Sequence, residues 1–124
     1  MTARRQQLGK SGEDLAVAEL ERRGYAILAR RYRTRHGEID VVARDGTTTV
    51  FVEVKARTSV EFGTAAEAVT PRKQRQLVSM AVDYLVRHGL TDGPSRFDVV
   101  AVDGARVTSG PGPRLTLYRD AFRA

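Results

Sequence analysis

The chain has 124 residues, a length that supports one hydrophobic core and predicts a single domain over residues 1–124. It has no cysteine, which excludes a disulfide framework and any thiolate metal site and fits a reducing, cytoplasmic setting. Its net charge of +6 and pI near 10.3 favour a polyanionic partner. The first residues, Met1 to Gln7, lead into no apolar signal region, and no apolar run approaches membrane-spanning length, so no membrane partner is expected.

In chain order, a first helix is predicted from about Gly12 to Arg23, with Ser11 as its cap, Asp14 as a capping-box acid and Gly24 as its stop. Leu15, Ala16, Ala18 and Leu20 form its apolar side. Glu13 stands three residues before Ala16 and seven before Leu20, so it projects toward that side from the first turn. It either complements the helix dipole or adds an acid to a site beneath. Tyr25 to Ala29 reads as a first strand, followed by the basic stretch Arg30-Arg31-Tyr32-Arg33-Thr34-Arg35-His36 and a turn at Gly37.

Ile39 to Ala43 reads as a second strand, Asp45-Gly46 as a hairpin turn, and Val50 to Ala56 as a third strand with β-branched and aromatic content. Glu53 and Lys55, at i and i+2, point to one side of the sheet. A two-residue turn pairs Arg44 with Thr47 and sets Asp40 opposite Phe51 and Glu38 opposite Glu53. A four-residue loop sets Asp40 across from Glu53. Either places Asp40, Glu53 and Lys55 on one face, whereas a three-residue loop turns Asp40 away unless a bulge intervenes. Buried charges without partners are costly, so carboxylates and an ammonium gathered in such strands point to a divalent metal beside a phosphate. Of 21 basic residues only Lys10, Lys55 and Lys73 are lysine, and a lysine in mid-strand suits a role for a compact ammonium against a water or phosphoryl oxygen.

After an irregular segment around Phe62-Gly63, a second helix is well signalled. Thr70 caps it, Pro71 opens it, Leu77, Val78, Ala81, Val82 and Leu85 form its stripe, and Gly89 ends it. Its first turn carries Arg72, Lys73 and Arg75 where the dipole prefers acids, an arrangement that suits phosphate binding or a solvated basic face. Phe97 to Val102 reads as a strand, Thr108 to Pro113 as a loop, and Leu115 to Tyr118 as an edge strand. Asp98 is read as the partner of a nearby arginine, Glu38 as a neighbour of either Glu53 or an arginine, and His36 as a surface or phosphate-contacting residue.

The order of Glu13 on a helix, a strand with Asp40, a strand with Glu53-Val54-Lys55 and a basic helix resembles the restriction-endonuclease-like fold and its PD-(D/E)xK nuclease motif. The fold class implied is α/β, a central mixed β-sheet flanked by helices. More closely, the chain resembles the YraN family of bacterial proteins, which are similar to archaeal Holliday-junction resolvases. The matching stretches are Gly9–Glu13, Gly24-Tyr25, Arg33–Asp40, Phe51–Lys55, Phe62-Gly63, Val69–Leu77 and Arg96–Val100. One departure is Ile39 where the motif has proline.

The resemblance implies Asp40 and Glu53 as metal ligands with the carbonyl of Val54, hard donors that suit Mg²⁺ or Mn²⁺. Lys55 would orient or deprotonate the attacking water or stabilise charge at phosphorus, and Glu13 would act through water. Arg33, Arg35, Arg57, Arg72, Lys73, Gln74 and Arg75 would contact the nucleic-acid backbone. The expected activity is metal-dependent endonucleolytic hydrolysis of DNA, branched forms included, in repair or recombination. A non-catalytic nucleic-acid-binding module is the alternative. A homodimer would be the natural way to cut two strands symmetrically.

Overall fold

A computed structural model describes residues 3–57, 69–104 and 112–124. The segment around Phe62-Gly63 and most of the loop from Thr108 to Pro113 lie outside these residues. The elements are α1 (Ala3–Arg22), β1 (Ala26–Thr34), β2 (Gly37–Asp45), β3 (Thr48–Arg57), α2 (Pro71–Arg87), β4 (Ser95–Asp103) and β5 (Arg114–Phe122). The five strands form one sheet in the order β1-β2-β3-β4-β5. All neighbours are antiparallel except β3 and β4, which are parallel across the α2 crossover.

The sheet is covered on both faces because its central strands are apolar on both sides. Val41, Ala43, Val50, Val52, Val100 and Val102 form one layer with Ala16 and Leu20 of α1. Ile39, Val42, Phe51, Phe97 and Val99 form the other with Leu77, Met80, Ala81 and Tyr84 of α2. This is the mixed sheet flanked by helices that was expected, and it accords with a restriction-endonuclease-like fold. No helix among the described residues is long and apolar enough to cross a membrane.

Three readings of local structure are corrected. Helix α1 starts at Ala3, so Ser11 and Gly12 lie within it rather than at its cap. Arg4, Gln6, Gln7, Leu8 and Lys10 are good helix formers and carry the helix through the two weaker residues. Gly12 serves packing, because a Cβ there would stand 3.2 Å from the Cβ of Ala56. The basic stretch after Ala29 is strand, since β1 runs on to Thr34 in the hairpin with β2. On α2, Thr70 accepts from the Lys73 amide at 3.2 Å and Pro71 opens the helix as read, but Val82 is 52% exposed. Met80 and Tyr84 take the inward positions instead, because the face toward the sheet is centred on the 77, 80, 81, 84 row.

Asp98 has the arginine partner expected of it, and more. Its carboxylate, 1% exposed, accepts from the Tyr25 hydroxyl at 2.9 Å, Arg96 Nε at 3.0 Å and the Asp120 amide at 2.9 Å. Arg96 also reaches Asp45, the last residue of β2 before the β2–β3 turn, at 2.9 Å. The Asp120 amide is free for this bond because β5 bulges opposite Asp98, where the register shifts between Phe97 and Val99. One buried carboxylate therefore joins the end of α1, the β2–β3 turn, β4 and β5. Replacing Asp98 with alanine removes one of the two carboxylates that pair with Arg96 and leaves the Tyr25 hydroxyl and the Asp120 amide without their acceptor, and should lower stability by ~3 kcal/mol, measured as a shift of the urea midpoint.

Candidate active site

The position of the site follows from the β2–β3 register. Arg44 lies opposite Thr49 and Asp45 opposite Thr48, so the strands reverse over Gly46-Thr47, one residue later than Asp45-Gly46. This is the register of the four-residue alternative, and one step beyond the last pair, Val41 with Val52, it brings Asp40 level with Glu53. There the Asp40 carboxylate accepts from the Val54 amide at 2.8 Å, taking the place of a backbone acceptor. The backbone ladder between β2 and β3 ends at that point. β2 stays paired with β1 as far as Thr34 and Gly37, and β3 stays paired with β4 as far as Arg57 and Asp103. The sheet thus forks into two arms, with Asp40, Glu53 and Val54 at the base.

The alternation of β3 settles the faces. Phe51 packs on the α2 side and Val50 and Val52 on the α1 side, so Glu53 and Lys55 share the α2 side with Phe51. Glu53 is only 8% exposed, and its carboxyl is pushed up to about 8. Burial is the main cause, followed by a hydrogen bond to and the charge of Asp40. Lys73 and Lys55 pull in the opposite direction without prevailing. The contact of Lys73 Nζ with Glu53 Oε2, at 3.6 Å, is therefore an ion pair only when Glu53 is ionised. Lys55 is half-buried on the same face.

The other expected residues divide into two groups. Glu13 lies with α1, where it accepts from Arg30 at 3.1 Å and Arg31 at 3.1 Å. Among the described residues no group of three Asp, Glu or His side chains is arranged to hold a metal ion, so Glu13 completes no such group with Asp40 and Glu53. Arg57 pairs with Asp103 at 2.9 Å, Arg33 with Glu38 at 3.3 Å, and Gln74 donates to the Val69 carbonyl at 3.0 Å. Lys73 turns inward to Glu53, while Arg72 and Arg75 are exposed at the helix start.

Sequence reasoning missed Arg31. It lies between the pairs Arg30–Val41 and Tyr32–Ile39, level with Asp40, and has φ of 53°. That conformation costs a non-glycine residue ~1 kcal/mol or more. It lets the strand switch faces, so that Arg30 meets α1 while Tyr32 packs toward α2. Nothing in the local composition marks this position.

The Uncharacterised protein family UPF0102 matches residues 12–102. The chain belongs to that family. This is the YraN family to which the sequence was likened. A UPF0102 protein of Geobacter sulfurreducens is 49% identical over 115 residues, covering 93% of this chain and 88% of its own length. One from Ralstonia pickettii is 50% identical over 104 residues, covering 80% and 82%. One from Rhodococcus opacus is 44% identical over 115 residues, covering 93% and 95%. The family description specifies no reaction, so in this UPF0102 member the chemistry has to be reasoned from the side chains.

The raised Glu53 carboxyl has a measurable consequence in metal-free protein. Unfolded, a glutamate loses its proton near 4.5, whereas folded Glu53 keeps it up to about 8. Between those values the folded state holds the extra proton, so this group's contribution to stability falls as pH rises. In EDTA, melting temperature should decline more steeply from pH 5 to pH 8 in wild type than in Glu53→Gln, which stays neutral throughout. Parallel profiles would show that Glu53 ionises freely.

Proposed function

We propose that the protein is a metal-dependent endonuclease that hydrolyses DNA phosphodiester bonds, selects its substrate by structure in the manner of Holliday-junction resolvases, and acts in repair or recombination. The observation that carries this reading is the meeting of Asp40 and Glu53 at the base of the fork, with Lys55 on the same face. A fold gains nothing by burying one carboxyl against another. The arrangement makes sense where a cation takes the place of the shared proton.

The donor set fits such a cation. Asp40 and Glu53 offer hard carboxylate oxygens and Val54 a backbone carbonyl, which suits Mg²⁺ or Mn²⁺ with its remaining positions filled by water. A divalent ion held there supplies Lewis acidity toward the phosphate and makes a nearby water more acidic. The chain's own contributions are separate. Asp40 keeps its orientation through the Val54 amide. Lys73, beside Glu53, favours the ionised carboxylate that a cation requires. Lys55 Nζ donates toward the attacking water or a non-bridging phosphoryl oxygen, holding charge that grows as the new P–O bond forms and the old one breaks. Water supplies the hydroxyl and the leaving oxygen takes up a proton, which gives two strand ends.

DNA is the partner that the +6 charge and the exposed arginines favour. A second reading, a binding module without catalysis, draws on the pairing of Glu13 with Arg30 and Arg31 and the absence, among the described residues, of a three-acid metal group. Labelled duplex, single-stranded and four-way-junction DNA incubated with Mg²⁺ or Mn²⁺ distinguishes the two. Wild type should cut, and Glu53→Ala and Lys55→Ala should each lose 10²-fold or more of the rate, on the order of the loss of a charged transition-state contact. Asp40→Asn should still bind DNA in EDTA and fail to cut in Mg²⁺. Binding without cutting by wild type itself would favour the module.

A further inference from the structure

The tip of the β1–β2 hairpin is fixed onto α2, and the junction borders an open, cationic cavity separate from the carboxylates. Gly37 has φ of 130°, and a Cβ there would come within 2.7 Å of Gln76 Nε2. Gln76 donates from that nitrogen to the His36 carbonyl. This close approach, open only to glycine, sets His36 against Arg72, Arg75, Gln76 and Ser79 around a cavity of about 370 Å³. On α2 these four residues follow the i, i+3, i+4, i+7 row, while Lys73, Leu77, Met80 and Tyr84 form the adjacent row toward the sheet.

Charge is what sets this cavity apart. Several arginines elsewhere face acids: Arg22 with Glu19 on α1, Arg30 with Asp14 and Arg33 with Glu38 on β1, Arg96 with Asp98 on β4, Arg119 with Asp45 on β5. Among the described residues no acid pairs with Arg72 or Arg75, and the first turn of α2 has no acidic residue of its own; its Lys73 turns away toward Glu53. Two guanidinium groups, a hydroxyl, an imidazole and an amide nitrogen offer donors to a tetrahedral anion from several directions.

We infer that this cavity is a second phosphate site, which holds a phosphate of the nucleic-acid strand beside the one presented to Asp40, Glu53 and Lys55. The inference rests on the nuclease reading and adds a strand path to it. Lys73 and Arg72 are consecutive, so a strand whose scissile phosphate meets the fork continues over the start of α2 toward the hairpin tip. The phosphate held is either an internal diester or a terminal monoester, and the shared chemistry is recognition by the arginine pair.

The test is fluorescence anisotropy in EDTA, where no cutting intervenes, over a range of salt. The probes are a labelled duplex and single strands with and without a 5′-phosphate. Arg72→Ala with Arg75→Ala should raise Kd ~10-fold or more and reduce the salt slope by ~1, the value for one lost phosphate contact. Arg44→Ala with Arg123→Ala removes the same charge at the far end of the sheet and should change Kd less than ~3-fold. Gly37→Ala changes no charge yet displaces the tip, and should weaken binding too; Gln76→Ala makes the same test if that variant does not fold. A loss confined to the 5′-phosphorylated strand assigns the site to a terminal monoester, and an equal loss on all probes assigns it to an internal diester. Equal losses in the two double variants would overturn the inference in favour of net charge alone. An unchanged Kd in the first double variant would overturn it while leaving the nuclease reading intact, whereas no binding by wild type at low salt would overturn both.

Discussion

The bond from the Val54 amide to the Asp40 carboxylate, 2.8 Å long, is the constraint on which the site depends. It stands where the β2–β3 ladder ends, one step past Val41 and Val52. Beyond it the β1–β2 hairpin and the parallel β3–β4 pair form separate arms, with Glu53 and Lys55 on the α2 side where they meet. The same bond holds Asp40 where its charge acts on Glu53. Asp40 together with burial then keeps the Glu53 carboxyl protonated up to about 8. The fork and the chemistry thus share one cause.

What holds the arms apart lies on opposite sides of the molecule. The β1–β2 arm is drawn toward α2 by Ile39 and Tyr32, which pack with the α2 cluster, and by the approach of Gly37 to Gln76. The opposite end of the sheet is tied together by Asp98 and Arg96, which reach Tyr25, Asp45 and Asp120. That network gives the strands a rigid base, which allows the other end to open without loss of register. The strain at Arg31 marks where β1 changes face to follow the arm.

Charge is divided as the site requires. Acids pair with Arg22 and Arg23 of α1, Arg96 of β4 and Arg119 of β5, whereas Arg72 and Arg75 at the start of α2 stay exposed. The first turn of α2 therefore bears its positive charges against its own dipole, at some cost to helix stability. Leu77, Met80, Ala81 and Tyr84 offset that cost by packing on the sheet. Tertiary packing, more than propensity, stabilises a helix of this length.

Several features were legible before any coordinates. The alternation of Phe51, Glu53 and Lys55, the Thr70-Pro71 helix start and the arginine partner of Asp98 follow from periodicity and local stereochemistry, which act over a few residues, whereas the mixed sheet between helices was implied by the family resemblance. The start of α1, the exposure of Val82 and the inward turn of Lys73 did not follow, because each depends on which surface the helix meets. The turn residues left three registers open for Asp40. Only the pairing of complete strands, with both faces of the sheet filled, selects the one that sets it level with Glu53. Sequence by itself determined which residues can do chemistry and which face each strand offers, since side-chain direction is a local property of the backbone. The fork, the tie between Gly37 and Gln76, and the pairing of Glu13 with Arg30 and Arg31 were decided by tertiary structure, because they depend on contacts between segments that the chain brings together only on folding.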